Sequence, residues 1–442
     1  MQPESVTGPE NGSTLRPKSR LLSLGLLTAA LCLSTSCVSS DGAATNPGAI
    51  DNGVTQPQTL SEVQWGSGKE VSARVVELGA ATEVAFEDQF TVQDSTDNWQ
   101  KHSNFLSGLG LSSQGEVLGE LSQQMRPTQA DTKLSDHGEI GLAKNGEFTA
   151  FGSTRKLVEG DGNRTVTSAL STDDGYLWVE SPNYGSASRT WRLFTGGPGN
   201  QSKLLAKSKN DDEFGNDEWN VEVAVPVADD KSVYWSTLTT KANGSTSSSV
   251  LQHSPSEDDK SKIFADDATS PAVLDQGIAV LDLVTENGTE KNSEKHVAKS
   301  ISLHTKQADP EVLLTGSSLL DDTVAFTGLV GQGETLMAQL ADKFLVTNLQ
   351  NKDVTAVALP ADSRAVGYAI CGQHAAWQVA DSGGASDGWQ YLLDLETNEL
   401  SKVAKEGLTG TAFCNGDYFA WGVRGTGYST NDAYVEVMKW KK

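Results

Sequence analysis

An all-β fold of repeated four-stranded sheets is the class this sequence predicts, and three observations predict it. One short pattern recurs six times, a turn holding Asp, Asn or Gly followed by alternating apolar residues that often end in Trp. Each copy is followed by further runs that alternate in period 2 and favour β-branched and aromatic residues. Long amphipathic helical patterns are almost absent, the stretch from Phe105 to Gln124 being the exception.

The copies are DDGYLWVES at Asp173, DDKSVYWST at Asp229, LDQGIAVLD at Leu274, LDDTVAFTG at Leu320, ICGQHAAWQV at Ile370 and CNGDYFAWGV at Cys414. Successive starts differ by 56, 45, 46, 50 and 44 residues. Trp178, Trp235, Trp377 and Trp421 take the same place in four copies, with Leu281 and Phe326 in comparable places in the others. The further strand runs include TWRLFTG at Thr190, SISLHT at Ser300 and WQYLLDLETNELSKVA at Trp389. Weaker copies lie upstream at Gly66, Ser113 and Asn145.

A lone four-stranded sheet cannot bury both faces, whereas sheets stacked around an axis cover one another, so this period predicts a β-propeller of four-stranded antiparallel blades. Residues 62–442 give room for seven blades, with six and eight as the neighbouring counts. Only 26 residues follow Gly416, too few for four strands, so an N-terminal strand, Val71 to Leu78, is expected to complete the last blade. The DG-type turn, the aromatic strand and the DLETNEL hairpin at Asp394 resemble TolB-type and quinoprotein-like propeller repeats from Asp173 to the C-terminus. The resemblance implies a fold and no function.

Cys371 and Cys414 stand six and seven residues before their tryptophans, at matching points of the last two repeats. Adjacent blades would bring them together, as a disulfide or as two buried thiols.

The N-terminus reads as an export signal. Arg16, Lys18 and Arg20 run into the apolar stretch Leu21 to Leu33, whose 13 residues fall short of the roughly 20 that span a membrane as a helix. Ser34-Thr35-Ser36-Cys37 follows and resembles the lipobox of bacterial lipoproteins, with Ser34 where that family usually has Leu, Val or Ile. The resemblance implies a lipid on Cys37 and a place on the extracytoplasmic face of the bacterial cell membrane; the alternative is cleavage near Ser36 and secretion. Cys32 belongs to the apolar stretch. The expected domains are a signal peptide over 1–36, a flexible Gly-, Pro- and Ser-rich linker over 37–61 and the propeller over 62–442.

Without residues 1–36 the chain keeps 31 basic and 56 acidic residues. That balance argues against nucleic acid, and against any membrane attachment beyond the lipid anchor. An acidic, solubilised surface is the plain meaning of the charge.

Catalytic chemistry finds little support, and no catalytic residue, metal site or cofactor is assigned. Gly384-Ala385-Ser386-Asp387-Gly388 fits G-x-S-x-G but lies between two strands with no helix after it, which reads as a loop tip. His374 nearby reads as a strand histidine. Ser171 to Trp178 resembles the Asp-box of sialidases, a turn-stabilising device that implies architecture, not catalysis. Arg155, Arg164, Arg189, Arg192, Arg364 and Arg424 show no convergent spacing. The six histidines, 102, 137, 253, 296, 304 and 374, are scattered, and the acidic run from Asn210 to Glu218 lacks EF-hand spacing. Gly108-Leu109-Gly110 is no dinucleotide fingerprint. The expectation is a non-enzymatic envelope lipoprotein whose propeller binds or scaffolds a protein or cell-wall component. The alternative is a glycan-active propeller hydrolase, sialidase-like, or a lyase.

Overall fold

A computed structural model describes residues 57–96, 105–122, 138–152, 164–182, 191–208, 225–240, 246–254, 261–287, 294–305, 308–316, 325–340, 342–381, 387–404, 412–424 and 433–441. All belong to one compact unit, Gly53–Lys442. The export signal, Cys37, the acidic run 210–218 and residues 382–386 lie outside the described residues. No helix among the described residues is long and apolar enough to cross a membrane.

The arrangement is that of a β-propeller, nearly all strand. It begins with four strands that belong to no repeat: β1 (Gln58–Trp65), β2 (Glu70–Glu77), β3 (Thr82–Val84) and β4 (Phe90–Ser95). β1 starts inside the stretch read as linker. Four-stranded meanders follow. β5 to β8 are Phe105–Leu111, Val117–Ser122, Glu139–Lys144 and Glu147–Ala150; β9 to β12 are Arg164–Thr172, Gly175–Pro182, Arg192–Gly197 and Asn200–Lys207. β13 to β16 are Val227–Ala228, Val233–Thr240, Thr246–His253 and Lys262–Ala265; β17 to β20 are Ala268–Leu274, Gly277–Asn287, Glu294–His304 and Glu311–Gly316. β21 to β24 are Phe326–Gln332, Thr335–Leu340, Lys343–Asn348 and Asp353–Ala358; β25 to β28 are Ser363–Cys371, His374–Asp381, Trp389–Asp394 and Leu400–Ala404. The last group is β29 (Phe413–Asn415), β30 (Tyr418–Arg424) and β31 (Ala433–Trp440).

Five sheets stand as discrete blades rather than the expected seven: β5–β8, β9–β12, β13–β16, β25–β28 with β3, and β29–β31 with β4. The difference has a physical cause. β1 pairs antiparallel with β20 and β2 pairs parallel with β24, so this hairpin welds the β17–β20 and β21–β24 meanders into one ten-stranded sheet. The first strand of each sheet is innermost: β17 touches β21, β21 touches β25, β25 touches β29, and β29 touches β5.

The strand that completes the last sheet is β4, which pairs with β31 from Trp440↔Phe90 to Glu436↔Ser95. It is not Val71 to Leu78, most of which forms β2 on the ten-stranded sheet. Phe105 to Gln124 holds no helix among its described residues; it is β5 and β6, folded back at Ser112–Gly115. Gly115 has φ +71, and a Cβ there would meet the Tyr418 ring at 2.5 Å, so the turn needs glycine twice over.

The N-terminal belt covers the outer edges of β20, β24, β28 and β31. The edges it leaves are blunted. β8 and β16 are four residues long, and β12 carries Lys203, Lys207 and two register breaks. Shortness, lysine and bulges are the devices that discourage an edge from pairing with another chain.

Between the sheets lie tryptophans. Trp178, Trp235, Trp377 and Trp421 are fully buried, each on the second strand of its sheet and facing the preceding one. In the ten-stranded sheet Val280 and Ala338 take this place, not Leu281 and Phe326. Leu281 faces the opposite way, and Phe326 lies on the inner strand β21, one strand too early.

Cys371 at the end of β25 and Cys414 on β29 form a disulfide, Cα–Cα 5.3 Å, that ties adjacent inner strands. Closing a span of 43 residues contributes about 4 kcal/mol by restricting the unfolded chain.

Candidate functional site

The polar groups inside the sheets follow one rule. On three second strands a residue that faces the next sheet is an acceptor that takes a backbone N–H from the next sheet's first strand. Glu120 on β6 accepts from Val166 N at 3.2 Å and from Thr165 Oγ1 at 2.7 Å. Ser236 on β14 accepts from Ser270 N at 2.8 Å, and Gln339 on β22 from Ala365 N at 3.0 Å. Such a bond satisfies a buried donor while fixing one sheet against its neighbour. Gln378 holds the same position on β26 and donates to Gln390 Oε1 at 3.2 Å. Sequence reading missed this row; the signal for it was a polar residue directly after Trp235 and Trp377 in otherwise apolar strands.

Gln339→Leu tests the latch. It leaves the Ala365 N–H buried without this acceptor and is expected to cost about 1–3 kcal/mol, read as a lower midpoint in urea with an unchanged slope.

Two of the four tryptophan N–H groups engage acids. Trp178 Nε1 donates to Glu180 at 3.2 Å and Trp421 Nε1 to Glu436 at 3.3 Å.

The turns between first and second strands, the β25–β26 turn apart, carry acids: Glu116, Asp173, Asp174, Asp229, Asp230, Asp275, Glu334 and Asp417. Four of these eight carboxylates have side-chain or turn partners. Glu116 accepts from Ser112 Oγ at 2.9 Å, Glu334 from Gln276 at 3.1 Å, and Asp417 lies 3.4 Å from Lys439. Asp229 Oδ1 holds its own turn through the N–H groups of Lys231 and Ser232, both at 2.8 Å. Tyr176, Tyr234 and Tyr418 begin the adjoining strands. Burial, and then Asp229, push the Tyr234 hydroxyl up to about 12, and burial with Glu116 raises Tyr176. Tyr176 and Tyr234 therefore stay neutral donors at ordinary pH.

The residues singled out in the sequence do not converge. The Asp-box stretch is the β9–β10 turn: Asp173 and Asp174 are exposed, Thr172 Oγ1 donates to the Gly175 carbonyl at 3.1 Å, and Trp178 is core. Asp387, the one acid of the G-x-S-x-G string, ties a turn, accepting from Trp389 N at 3.1 Å and from the Tyr391 hydroxyl at 2.7 Å. Arg192 is buried on β11 opposite Glu180, while Arg364 is exposed on β25. Arg164 and Arg424 stand at strand ends, and Arg155 and Arg189 lie outside the described residues. His102 and His137 are likewise outside; His253 is buried, His296 exposed, and His304 packs on Phe264 at 5.2 Å. Among the described residues no three of His, Cys, Asp and Glu are placed to hold a metal.

No family model and no curated protein sequence matches the chain. Solved structures do. A puromycin-hydrolyzing peptidase from Mycobacterium tuberculosis aligns at TM-score 0.46 and 11% identity, over 78% of this chain and 53% of that one. This chain thus spans about half the length of the peptidase. The β-propeller domain of the Trilobed protease from Pyrococcus furiosus aligns at TM-score 0.43 and 11% identity, over 72% and 89%. An oligogalacturonate lyase from Vibrio parahaemolyticus aligns at TM-score 0.44 and 9% identity, over 79% and 96%. The likeness in each case is one of fold.

Proposed function

We propose that the chain is a non-enzymatic lipoprotein of the cell envelope, held to the extracytoplasmic face of the membrane by a lipid on Cys37, whose propeller binds or scaffolds a protein or cell-wall partner. The linker lets the domain stand off the surface. On this reading the two meanders of the ten-stranded sheet serve as separate blades of a sevenfold ring.

The observation that carries the reading is what the buried polar groups do. Glu120, Ser236 and Gln339 are engaged in holding one sheet to the next, and Glu436, with the partly buried Glu180, in receiving tryptophan N–H groups. A catalytic acid or base needs an accessible proton and a reacting atom within reach, and these groups face backbone and ring N–H instead. The acidic turns with Tyr176, Tyr234 and Tyr418 are the surface this reading presents to a partner. Crosslinking the full-length protein in the envelope, followed by affinity recovery, tests it. A reproducible partner, lost when Asp173, Asp174 and Asp230 become Asn, is expected; no reproducible partner counts against the reading.

A further inference from the structure

The seam between the β25–β28 and β29–β31 sheets holds a histidine with no part in the contacts above. His374 opens β26, opposite Cys371 on β25 and Asp394 on β27. Its ring lies flat on Trp440, with centroids 4.3 Å apart and planes 4° apart, and Nε2 is 3.8 Å from Asp394 Oδ2. Only 24% of the side chain is exposed.

Trp440 is the point at which the ring is fastened. It ends β31, pairs with Phe90 of β4, and its N–H donates to the Asp417 carbonyl at 3.2 Å. Its ring packs on Phe90 at 4.8 Å and on Phe419 at 5.4 Å. One residue on, the N–H of Lys441 donates to the Gln89 carbonyl at 2.9 Å. The disulfide crosses the same seam. His374 is therefore stacked on the residue where the closing strand, the last repeat strand and the C-terminus meet.

We propose that His374 makes this seam a pH-sensitive joint: the neutral ring stacked on Trp440 holds the β25–β28 sheet against the closing sheet, and protonation loosens it. Two physical effects compete. Burial disfavours the charged ring, while the Asp394 carboxylate favours it. Burial wins, and the His374 pKa lies below its ordinary value. Asp394 is the one carboxylate within ion-pair distance of the ring among the described residues. Its own desolvation is outweighed by the N–H groups of Thr397 and Glu396, and it stays ionised below the usual range. Those N–H bonds occupy Asp394 Oδ1, at 2.7 and 2.9 Å. From the closing sheet, Lys439 and Asp417 engage each other, and Lys441 donates to the Glu87 carbonyl.

The sign follows. An unfolded histidine takes its proton near pH 6.5, and this folded one takes it lower. The stability contributed is complete above about pH 6.5 and is lost as pH falls from there through the depressed folded value.

The test uses the full chain and two readouts. Histidine ring signals are followed by NMR from pH 8 to 4.5, with His374 assigned by its loss in His374→Gln, and melting temperatures are taken at pH 7.5 and 5.0. His304, which burial also holds low, supplies the control His304→Phe. The expected results are a His374 midpoint below 6.5, and an acid-induced loss of Tm about 2 °C larger in wild type than in His374→Phe. His304→Phe keeps the His374 share. A midpoint at or above 6.5, or equal Tm losses in wild type and His374→Phe, overturns the proposal; where one His374 variant fails to fold, the other supplies the assignment and the wild-type titration decides it.

Discussion

Deleting residues 58–95 is expected to leave a chain that no longer folds. The belt buries Leu60, Val63, Val71, Leu78 and Phe90, each at most 8% exposed. At about 1.5–3 kcal/mol for each large apolar side chain removed from water, these five contribute on the order of 10 kcal/mol. That is comparable to the whole net stability of a typical domain, about 5–15 kcal/mol. The loss is also topological. The ten-stranded sheet separates at β20 and β24, and the last sheet keeps three strands. Phe90 leaves a cluster in which it stacks on Phe419 at 5.3 Å and meets Trp421 at 5.6 Å. The bared β24, Asp353–Ala358, has no register break against β23 and one charged residue, so it lacks the protection seen on β12. Size-exclusion chromatography should show aggregates or insoluble protein. A monomeric deletion variant with a single cooperative melt would contradict the role assigned to the belt.

Trp377→Ala carries the next largest effect. Trp377 is fully buried between the β21–β24 and β25–β28 meanders, 5.2 Å from the Phe344 ring and 5.9 Å from Tyr391. Truncating a buried tryptophan costs about 3–5 kcal/mol, the removed contact together with the cavity left behind. A lowered denaturation midpoint is the expected reading. Trp389→Ala is the control: Trp389 is only partly buried and carries Lys402 over its ring at 4.4 Å, a partly exposed contact of about 1 kcal/mol. Equal losses in the two variants would show that the tryptophan layer is not what holds neighbouring sheets together.

The repeat was legible in the sequence because each turn precedes a strand whose alternation buries one large residue, and four of those residues are tryptophan. The meeting of Cys371 and Cys414 was legible for the same reason, since equal places in successive repeats become neighbours. Where the marker was lost the reading slipped. The turn that matters in the β21–β24 meander is Gly333–Glu334, with Ala338 in the tryptophan place, and LDDTVAFTG offered a better imitation one strand early. The closing strand was misassigned because EVSARVVE and FTVQDS both alternate well. Nothing local distinguishes a strand that welds two sheets from one that completes a third. Phe90 was the clue, an aromatic residue that pairs with Trp440 only across 350 residues of chain. The stretch after Phe105 lost its helical reading to Gly115, whose positive φ folds it into a hairpin. The acceptor row was hidden because Glu120, Ser236 and Gln339 differ chemically and share only a place in the strand.

The measurement that bears most directly on binding against catalysis is turnover of a panel of aryl glycosides, sialosides and uronate oligosaccharides by the full-length protein. No turnover above the buffer rate is the predicted result. Turnover that a single change such as Glu120→Gln or Glu436→Gln abolishes, with the melting curve unchanged, would contradict it and make the buried carboxylates catalytic.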